Sequence, residues 1–434
     1  MATNTYTPCV GGVTKSVEQF VNRYRERGHR VVVATASYKN LPADEYDVVR
    51  FPAVHHFNGS DFSWPLPVPG KMASALSRIP PDIVHSHHPF VLGGTAMRAA
   101  AAYNAPLVFT YHTMYEKYSH YMSVSSWRLK RYLMSLVTGF CNFCDAVIAP
   151  SESVAALLRR RGVSVPVHVI PTGIEVSYYA GGDGSKARSL WNIPEHAFVV
   201  GHVGRLASEK NLLFLANSVA NFLKTHPQAW FALIGCGPMK QEIIEICQQY
   251  AVADRLVITG FLKPDQLRDA YKAMNVFAFS SLTETQGMVL VEAMAAGIPV
   301  VALDAPGVRE VVDDGNNGYL INGNETDFSQ ALESIANCST TNRTQLSVSA
   351  FETAVEHDID DTVDKALALY QSLVVQKQLQ PAPVQSSANL RMLAVQWDIA
   401  MNIARAASCI PRPATWQPDR FSDITVAEPI CDKS

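Results

Sequence analysis

The feature that most constrains this chain is a repeated alternation. Short, nearly continuous apolar runs, "RVVVATA", "DIVHSH", "PLVFTYH", "AVIAPS" and "VHVIPTG", are separated by amphipathic stretches such as "VTKSVEQFVNRYRERG". Strands that are apolar throughout are covered on both faces, which is the condition of a parallel sheet between helices. The stretch ending at Gly28 carries arginines in its last turn, as a helix C-terminus does. A Gly-, Ser- and charge-rich segment, Tyr178 to His196, reads as an interdomain connection. The alternation then restarts with "FVVGHVGRL", "WFALIGCGP", "RLVITGF", "VFAFSSL" and "PVVAL". At 434 residues and 48% hydrophobic content, two such cores can be filled. The expected class is α/β, with two doubly wound, Rossmann-like domains facing a cleft.

The expected domains are 1–178 and 179–350. A single helix over 351–375 should pack back on the first domain. A linker, one further helix ("NLRMLAVQWDIAMNIARAA") and a disordered tail make up 376–434.

Composition excludes several functions. A formal net charge of −3 offers no basic field for nucleic acid. Eight cysteines are too dilute for a disulfide scaffold and read as reduced thiols of a cytoplasmic protein. Cys141-Asn-Phe-Cys144 stands alone, so helix packing explains it better than metal or redox chemistry. "MATNTYTPCV" has neither the charged nor the apolar region of a signal peptide. No run of ~18 clean apolar residues is present, so a lipid surface could be approached only peripherally.

Chemistry concentrates in "SSLTETQGMVLVEAMAAGIPVVAL", Ser280 to Leu303. A strand runs into the loop "LTETQG" and then a helix, placing Gly287 at the helix entrance. Free N–H groups and the positive dipole end attract phosphate there. Glu292 lies about 7.5 Å further along the axis and can accept from a ribose. Glu284 can accept from sugar hydroxyls. Two carboxylates repel a phosphate unless cations stand nearby. Arg205 and Lys210, after "FVVGHVG", supply a fork and a point charge. Salt bridging to Glu209 is the plainer reading of either cation alone. Their shared position at strand ends of one sheet favours a phosphate site.

"GRLASEKN", "IGCGP", "GFL" and "ETQGMVLVEAMAAGIPVVA" resemble the retaining glycosyltransferases of family 4, which have the GT-B fold; their signature is a glutamate pair spaced as Glu284 and Glu292 are. "TYTPCVGGV", "DIVHSHHP", "YHTMY", "AVIAPS" and "PTGIE" resemble the family's N-terminal half, so the likeness spans roughly residues 3 to 375. It implies a nucleoside-diphosphate sugar on the C-terminal domain and an acceptor on the N-terminal one. By that resemblance Arg205 and Lys210 neutralise the leaving diphosphate. Glu284 and the backbone of Gly287, Met288 and Val289 hold sugar and phosphate, and Glu292 the ribose. Gly11 and Gly12 match the glycine turn that approaches the donor phosphate across the cleft. Gly235 and Gly237 match the loop lining the nucleotide pocket, Leu262 the backbone that meets the base, and His112 the histidine that reaches the transferred sugar. The resemblance implies retention by front-face attack, with no metal or cofactor. The acid pair Asp358 and Asp360, placed in the helix over 351–375, and His85, His87 and His88 are not expected to bind metal.

The acceptor is suggested by "YHTMYEKYSHYMSVSSWRLKRYLMSL". Tyr115, Lys117, Trp127, Arg128, Lys130 and Arg131 interleave aromatics and cations as an anionic membrane surface requires. An ordinary helix with its aromatics packed inward is the other reading. The stretch also resembles bacterial diacylglycerol glucosyltransferases. The expectation is therefore transfer of a hexose, glucose from UDP-glucose, to a lipid such as diacylglycerol on the inner membrane face. A soluble sugar or inositol-type acceptor is the alternative, and nucleotide-sugar binding without turnover a further one. Relatives begin with an apolar strand before "TNTYTP", where this chain has only Met1 and Ala2. A missing first strand, unpaired neighbours and a truncated start are expected.

Overall fold

The computed structural model describes residues 1–407 except Val10, Asn40, 42–44, 56–62, Pro69, Arg78, 116–126 and 380–387. In the first lobe, β1 (Val33–Ala36) pairs in parallel with β2 (Val48–Phe51). A short antiparallel pair follows, β3 (Ala53–Val54) and β4 (Trp64–Pro65). Strands β5 (Val84–Ser86), β6 (Leu107–Thr110), β7 (Ala146–Ala149) and β8 (Val167–Val169) form a parallel set in that order.

The start of the chain joins the two sets. Ala2 bridges Ala34 of β1 on one side and Ser86 of β5 on the other, both in parallel. The Ala2 N–H donates to the His85 carbonyl at 2.8 Å, and the His87 N–H donates to the Ala2 carbonyl at 2.9 Å. The Ala34 N–H donates to Met1 at 2.8 Å, and the Thr3 N–H to Ala34 at 2.9 Å. The expected unpaired neighbours are therefore corrected. β1 and β5 are so short that Met1 to Thr3, at about 3.3 Å per residue, satisfy the ladder between them. The order reverses on either side of this segment, so the lobe's switch point lies there.

Helices α1 (Gly12–Glu26), α2 (Lys71–Leu76), α3 (Leu92–Tyr103), α4 (Trp127–Phe143) and α5 (Glu152–Arg160) accompany this sheet. α1 buries Val17, Phe20, Val21 and Tyr24 along one stripe. Cys141 and Cys144 are buried free thiols at the end of α4. Burial pushes the Cys141 thiol up to about 12, which leaves it inert at neutral pH.

The expected connection at Tyr178–His196 is instead part of the second lobe. It holds the end of α6 (Val176–Ala180) and all of α7 (Gly184–Leu190), which pack on that lobe's helices. The reason is Arg188, a buried guanidinium satisfied by the carbonyls of Ala273, Glu195 and Ala197. The second lobe continues with β9 (Phe198–Val203), α8 (Leu212–Thr225), β10 (Ala229–Ile234), α9 (Lys240–Gln249), β11 (Leu256–Gly260) and α10 (Pro264–Lys272). It is completed by β12 (Val276–Phe279), α11 (Met288–Ala295), β13 (Val300–Leu303), β14 (Gly318–Ile321) and α12 (Glu325–Asn337). All six strands are parallel, in the order β11-β10-β9-β12-β13-β14. Phe277 and Phe279 of β12 are fully buried; each such ring contributes about 1.5–3 kcal/mol relative to exposure. The order reverses between β9 and β12, so a ligand crevice opens beyond their carboxyl ends.

The single helix expected over 351–375 is two helices. α13 (Thr340–Val355) stops, and α14 (Ile359–Leu379) starts and runs past residue 376. The break occurs because Ile174 exchanges backbone hydrogen bonds with His357 at 3.0 Å and Ile359 at 2.9 Å, pinning the turn to the lobe junction. Asp358 and Asp360 lie at this helix start, where the Asp358 carboxylate accepts from the Asp360 N–H at 2.9 Å. α14 returns to the first lobe, where Ile359, Val363 and Tyr370 share a core with Val17, Phe20 and Tyr24. α15 (Ala388–Ala407) crosses α3 and α4. Its Arg391 donates to the carbonyls of Ala101 and Ala102, and its Asn402 to that of Leu136. Among the described residues no helix is long and apolar enough to cross a membrane.

Candidate active site

The crevice between β9 and β12 holds the charged residues that the motifs singled out. Lys210 follows β9 and Glu284 follows β12; the ammonium and carboxylate lie 2.5 Å apart and are largely buried. Burial alone would raise the Glu284 carboxyl. The Lys210 charge, with hydrogen bonds from Lys210 and Ser281, outweighs it and holds the group below its ordinary value. The loop carrying Lys210 is fixed by Ser280, whose hydroxyl donates to the Lys210 carbonyl at 2.8 Å. Arg205 pairs with the buried Glu209, so the plainer salt bridge is present beside the crevice. Beneath lies His202, a residue the motifs did not indicate. Its Nδ1 is 2.9 Å from the Ala278 carbonyl, and burial pushes it down to about 4, so it is neutral.

Gly287 is the N-cap of α11 with a left-handed backbone, and no side chain caps the helix. The first N–H groups of α11, those of Met288 and Val289, have no acceptor within the helix. Gly235 and Gly237, after β10, have the carbonyls of Gly204 and Leu206 where a Cβ would lie. They clasp the Arg205 loop against the β10 loop, with the Leu206 N–H donating to Cys236 at 2.8 Å. Leu262, after β11, packs against the core of this lobe.

Gly307 was not anticipated, although the turn "DAPG" carries it. It has a φ of 76°, and a Cβ there would stand 2.7–2.9 Å from the backbone of Thr285 and Gln286. Gly307→Ala must displace the Glu284–Gly287 loop. It should raise the donor KM about tenfold with kcat less affected, an outcome that steady-state kinetics checks directly.

From the other lobe, His112 ends β6 and His87 ends β5. His87 Nδ1 and His112 Nε2 share a hydrogen bond at 2.9 Å. Burial, then the charge of His88, pushes His112 down to about 3, so its imidazole is neutral. Behind it runs a buried chain. The His87 and His85 rings lie 4.1 Å apart, and His85 bonds Thr110 at 2.7 Å and Tyr370 of α14 at 2.5 Å. Among the described residues no group of His, Cys, Asp or Glu could hold a metal ion. Gly11 and Gly12 open α1 with no atom within 4 Å of either Cβ position, which leaves their backbone approachable.

The two lobes meet on the 285–292 segment. The Thr285 hydroxyl donates to the His112 carbonyl at 3.0 Å, and the Ser151 hydroxyl donates to the Thr285 carbonyl at 2.8 Å. The Gln286 amide is bidentate with Thr172, accepting from its N–H at 2.6 Å and donating to its carbonyl at 2.9 Å. Glu310 caps the start of α5 through the Ser153 N–H at 2.8 Å. Lys15 of α1 reaches Glu292 and the Tyr179 hydroxyl, while the Tyr271 hydroxyl donates to Glu292 at 2.7 Å. Each of these contacts joins residues far apart in sequence, so the pairings had no local signature even where one partner, His112 or Glu292, did.

One residue of the surface expected to meet a membrane is placed elsewhere. Tyr115 is corrected: its ring packs edge-on against Phe90 at 5.4 Å and Tyr111 at 5.8 Å, in the first lobe's core. It immediately follows the buried Met114, and the inward aromatic reading holds there. Lys117 lies outside the described residues, as do the side chains of Trp127 and Arg128 on α4. Lys130 is exposed and Arg131 half-buried.

Comparison with known proteins agrees with this arrangement. A family model described as Glycosyltransferase Family 4 matches residues 10–178, and one described as Glycosyl transferases group 1 matches 185–351. The alpha-monoglucosyldiacylglycerol synthase of Streptococcus pneumoniae is 29% identical over 361 residues, covering 82% of each chain. That of Acholeplasma laidlawii is 27% identical, covering 74% of this chain and 83% of its own. A GDP-mannose-dependent alpha-mannosyltransferase of Mycolicibacterium smegmatis is 31% identical, over 73% of this chain and 82% of its own. Among solved structures, sucrose-phosphate synthase from Thermosynechococcus elongatus superposes with a TM-score of 0.71 at 20% identity, covering 86% and 99%. Anabaena HepE in complex with UDP-glucose superposes with a TM-score of 0.65 at 20% identity, with the same coverage. With each half matched by its own family model and relatives aligned across both, the chain belongs to glycosyltransferase family 4: it is a hexosyltransferase on the GT-B fold.

Proposed function

We propose that this protein is a retaining glycosyltransferase that moves glucose from UDP-glucose to diacylglycerol or a related lipid at the inner membrane face. The observation that carries the reading is the convergence of Lys210, Glu284 and the uncapped start of α11 on a loop bonded to the His112 backbone. The diphosphate lies at the α11 entrance, its charge met by Arg205 and Lys210, with no metal required. Glu284 and His112 hold the transferred sugar, and Glu292 the ribose. The bond from the sugar's anomeric carbon to the diphosphate breaks, and its electron pair leaves with the phosphate. The acceptor hydroxyl attacks the same face and passes its proton to the departing phosphate oxygen. Cations placed where charge develops make up the main acceleration.

The lipid acceptor is supported by the two diacylglycerol synthases among the relatives and by the surface beside α4. α15, packed on α4, exposes Leu393, Trp397 and Ile403, and α4 exposes Lys130. Exposed apolar and basic side chains on two packed helices suit an anionic bilayer.

Purified protein should be incubated with labelled UDP-glucose, UDP-galactose and GDP-mannose against phosphatidylglycerol vesicles containing diacylglycerol. Transfer of glucose to diacylglycerol, lost in Glu284→Ala, is expected. The combined variant Lys130→Glu, Trp397→Ser should reduce vesicle binding about tenfold. Transfer from GDP-mannose alone would reassign the donor. Turnover on inositol phosphate in the absence of vesicles would reassign the acceptor, and no turnover on any pair would leave only donor binding.

A further inference from the structure

Glu292 has both oxygens occupied in the free protein. Tyr271 donates to one at 2.7 Å, and the ammonium of Lys15 donates to the other. Lys15 also donates to the Tyr179 hydroxyl and lies 5.0 Å from that ring's centre. The Glu292 side chain is 5% exposed and that of Lys15 is 35% exposed, so of the pair the lysine is the member that solvent reaches. Lys15 comes from the other lobe, three residues beyond Gly12 on α1.

This arrangement is a cation held where a neutral ligand group must arrive. A ribose reaching Glu292 offers two hydroxyls to the face of the carboxylate that Lys15 covers. The same donor brings a diphosphate to the first turn of α11. Glu292 is the fifth residue of α11, so that turn lies only about 6 Å back along the helix axis. A lysine side chain is flexible enough to cover that distance without moving its backbone. A diphosphate also outcompetes one carboxylate for an ammonium, since it carries more charge and more acceptor oxygens.

We propose that Lys15 is a third donor-binding cation, delivered by exchange: the ribose takes Glu292, and the released ammonium swings onto the diphosphate beside Arg205 and Lys210. The proposal rests on the donor reading of the site given above. The exchange makes substrate binding close the charge balance across both lobes. A nucleoside without phosphate must displace Lys15 and gains nothing in return. A nucleoside diphosphate recovers the ion pair at once.

The two halves of the exchange have opposite signs, which makes them separable by titration calorimetry with UDP and uridine, or with GDP and guanosine if the wild-type protein prefers GDP. Lys15→Met should weaken the diphosphate about tenfold or more and tighten the nucleoside about threefold. Lys15→Arg should keep the diphosphate within about threefold of wild type. Lys15→Gln, which retains a donor for Glu292, should weaken the diphosphate as methionine does, and melting curves confirm folding of each variant. A diphosphate affinity that is unchanged or improved in both uncharged variants would reduce Lys15 to a latch and overturn the proposal. So would equal weakening of nucleoside and diphosphate, the signature of a merely structural role. Wild-type protein that binds neither diphosphate would sink the donor reading itself, and the exchange with it.

Discussion

Lys210→Ala should lower kcat/KM for the sugar donor by about 10² to 10³, the loss found when one preorganised charge is taken from a developing oxyanion. Two effects combine. On the proposed reading the departing diphosphate loses a point charge, and Glu284 loses the partner that offsets its burial. With the ammonium gone, desolvation dominates and the Glu284 carboxyl rises. The variant should therefore lose its residual activity at a higher pH on the acid side than wild type does. Lys210→Arg should recover only part of the rate, because a planar fork does not occupy the site of a compact ammonium. Initial rates across pH for the three proteins test both statements. A Lys210→Ala enzyme within tenfold of wild type would remove the diphosphate from this crevice.

Acid should unfold the protein through its first lobe. His85, His87, His88 and His112 are all held below the ordinary imidazole value, with burial as the first cause of each. His88 is pushed down to about 4 and His112 to about 3. A folded value lower than the unfolded one means that the unfolded chain takes up protons first. Stability is then complete above the unfolded value of 6.5 and falls as pH drops from there toward the folded values. At pH 5 each such group costs about 2 kcal/mol. Two of them acting fully would lower Tm by about 10 °C for a domain of this size. Thermal melts at pH 7.5 and pH 5 should show that drop, and His88→Asn should reduce it. A Tm that stays level across this range would mean the cluster is hydrated rather than buried.

The two predictions rest on parts of the molecule that differ in how much of them could be read beforehand. The crevice of Lys210 and Glu284 was readable as an arrangement of residues because its parts are local. Strand, loop and helix follow one another within Val276 to Ala295, so the spacing of Glu284, Gly287 and Glu292 is set by helix rise and loop length. Arg205 and Lys210 follow β9 in the same way. The histidine cluster was visible only as residues. Its buried chain to Tyr370 joins positions 285 apart.

The errors have the same origin. Tyr115 was assigned to the surface from its basic neighbours, but the space left by Phe90 and Tyr111 draws it inward. A long helix was read across Glu356–Asp358 because helical periodicity continues through it; only the docking of Ile174 interrupts it. Apolar alternation by itself determined two parallel sheets, their helical cover and the charged ends of the strands, since periodicity and propensity act within one segment. The tertiary structure alone decided that Met1 to Thr3 fill the central ladder, that Gln286 locks to Thr172, and that Lys15 faces Glu292. The first pairing arises inside one lobe, between strands distant in sequence, and the other two where the lobes dock; burial at each junction selects partners that no local spacing encodes.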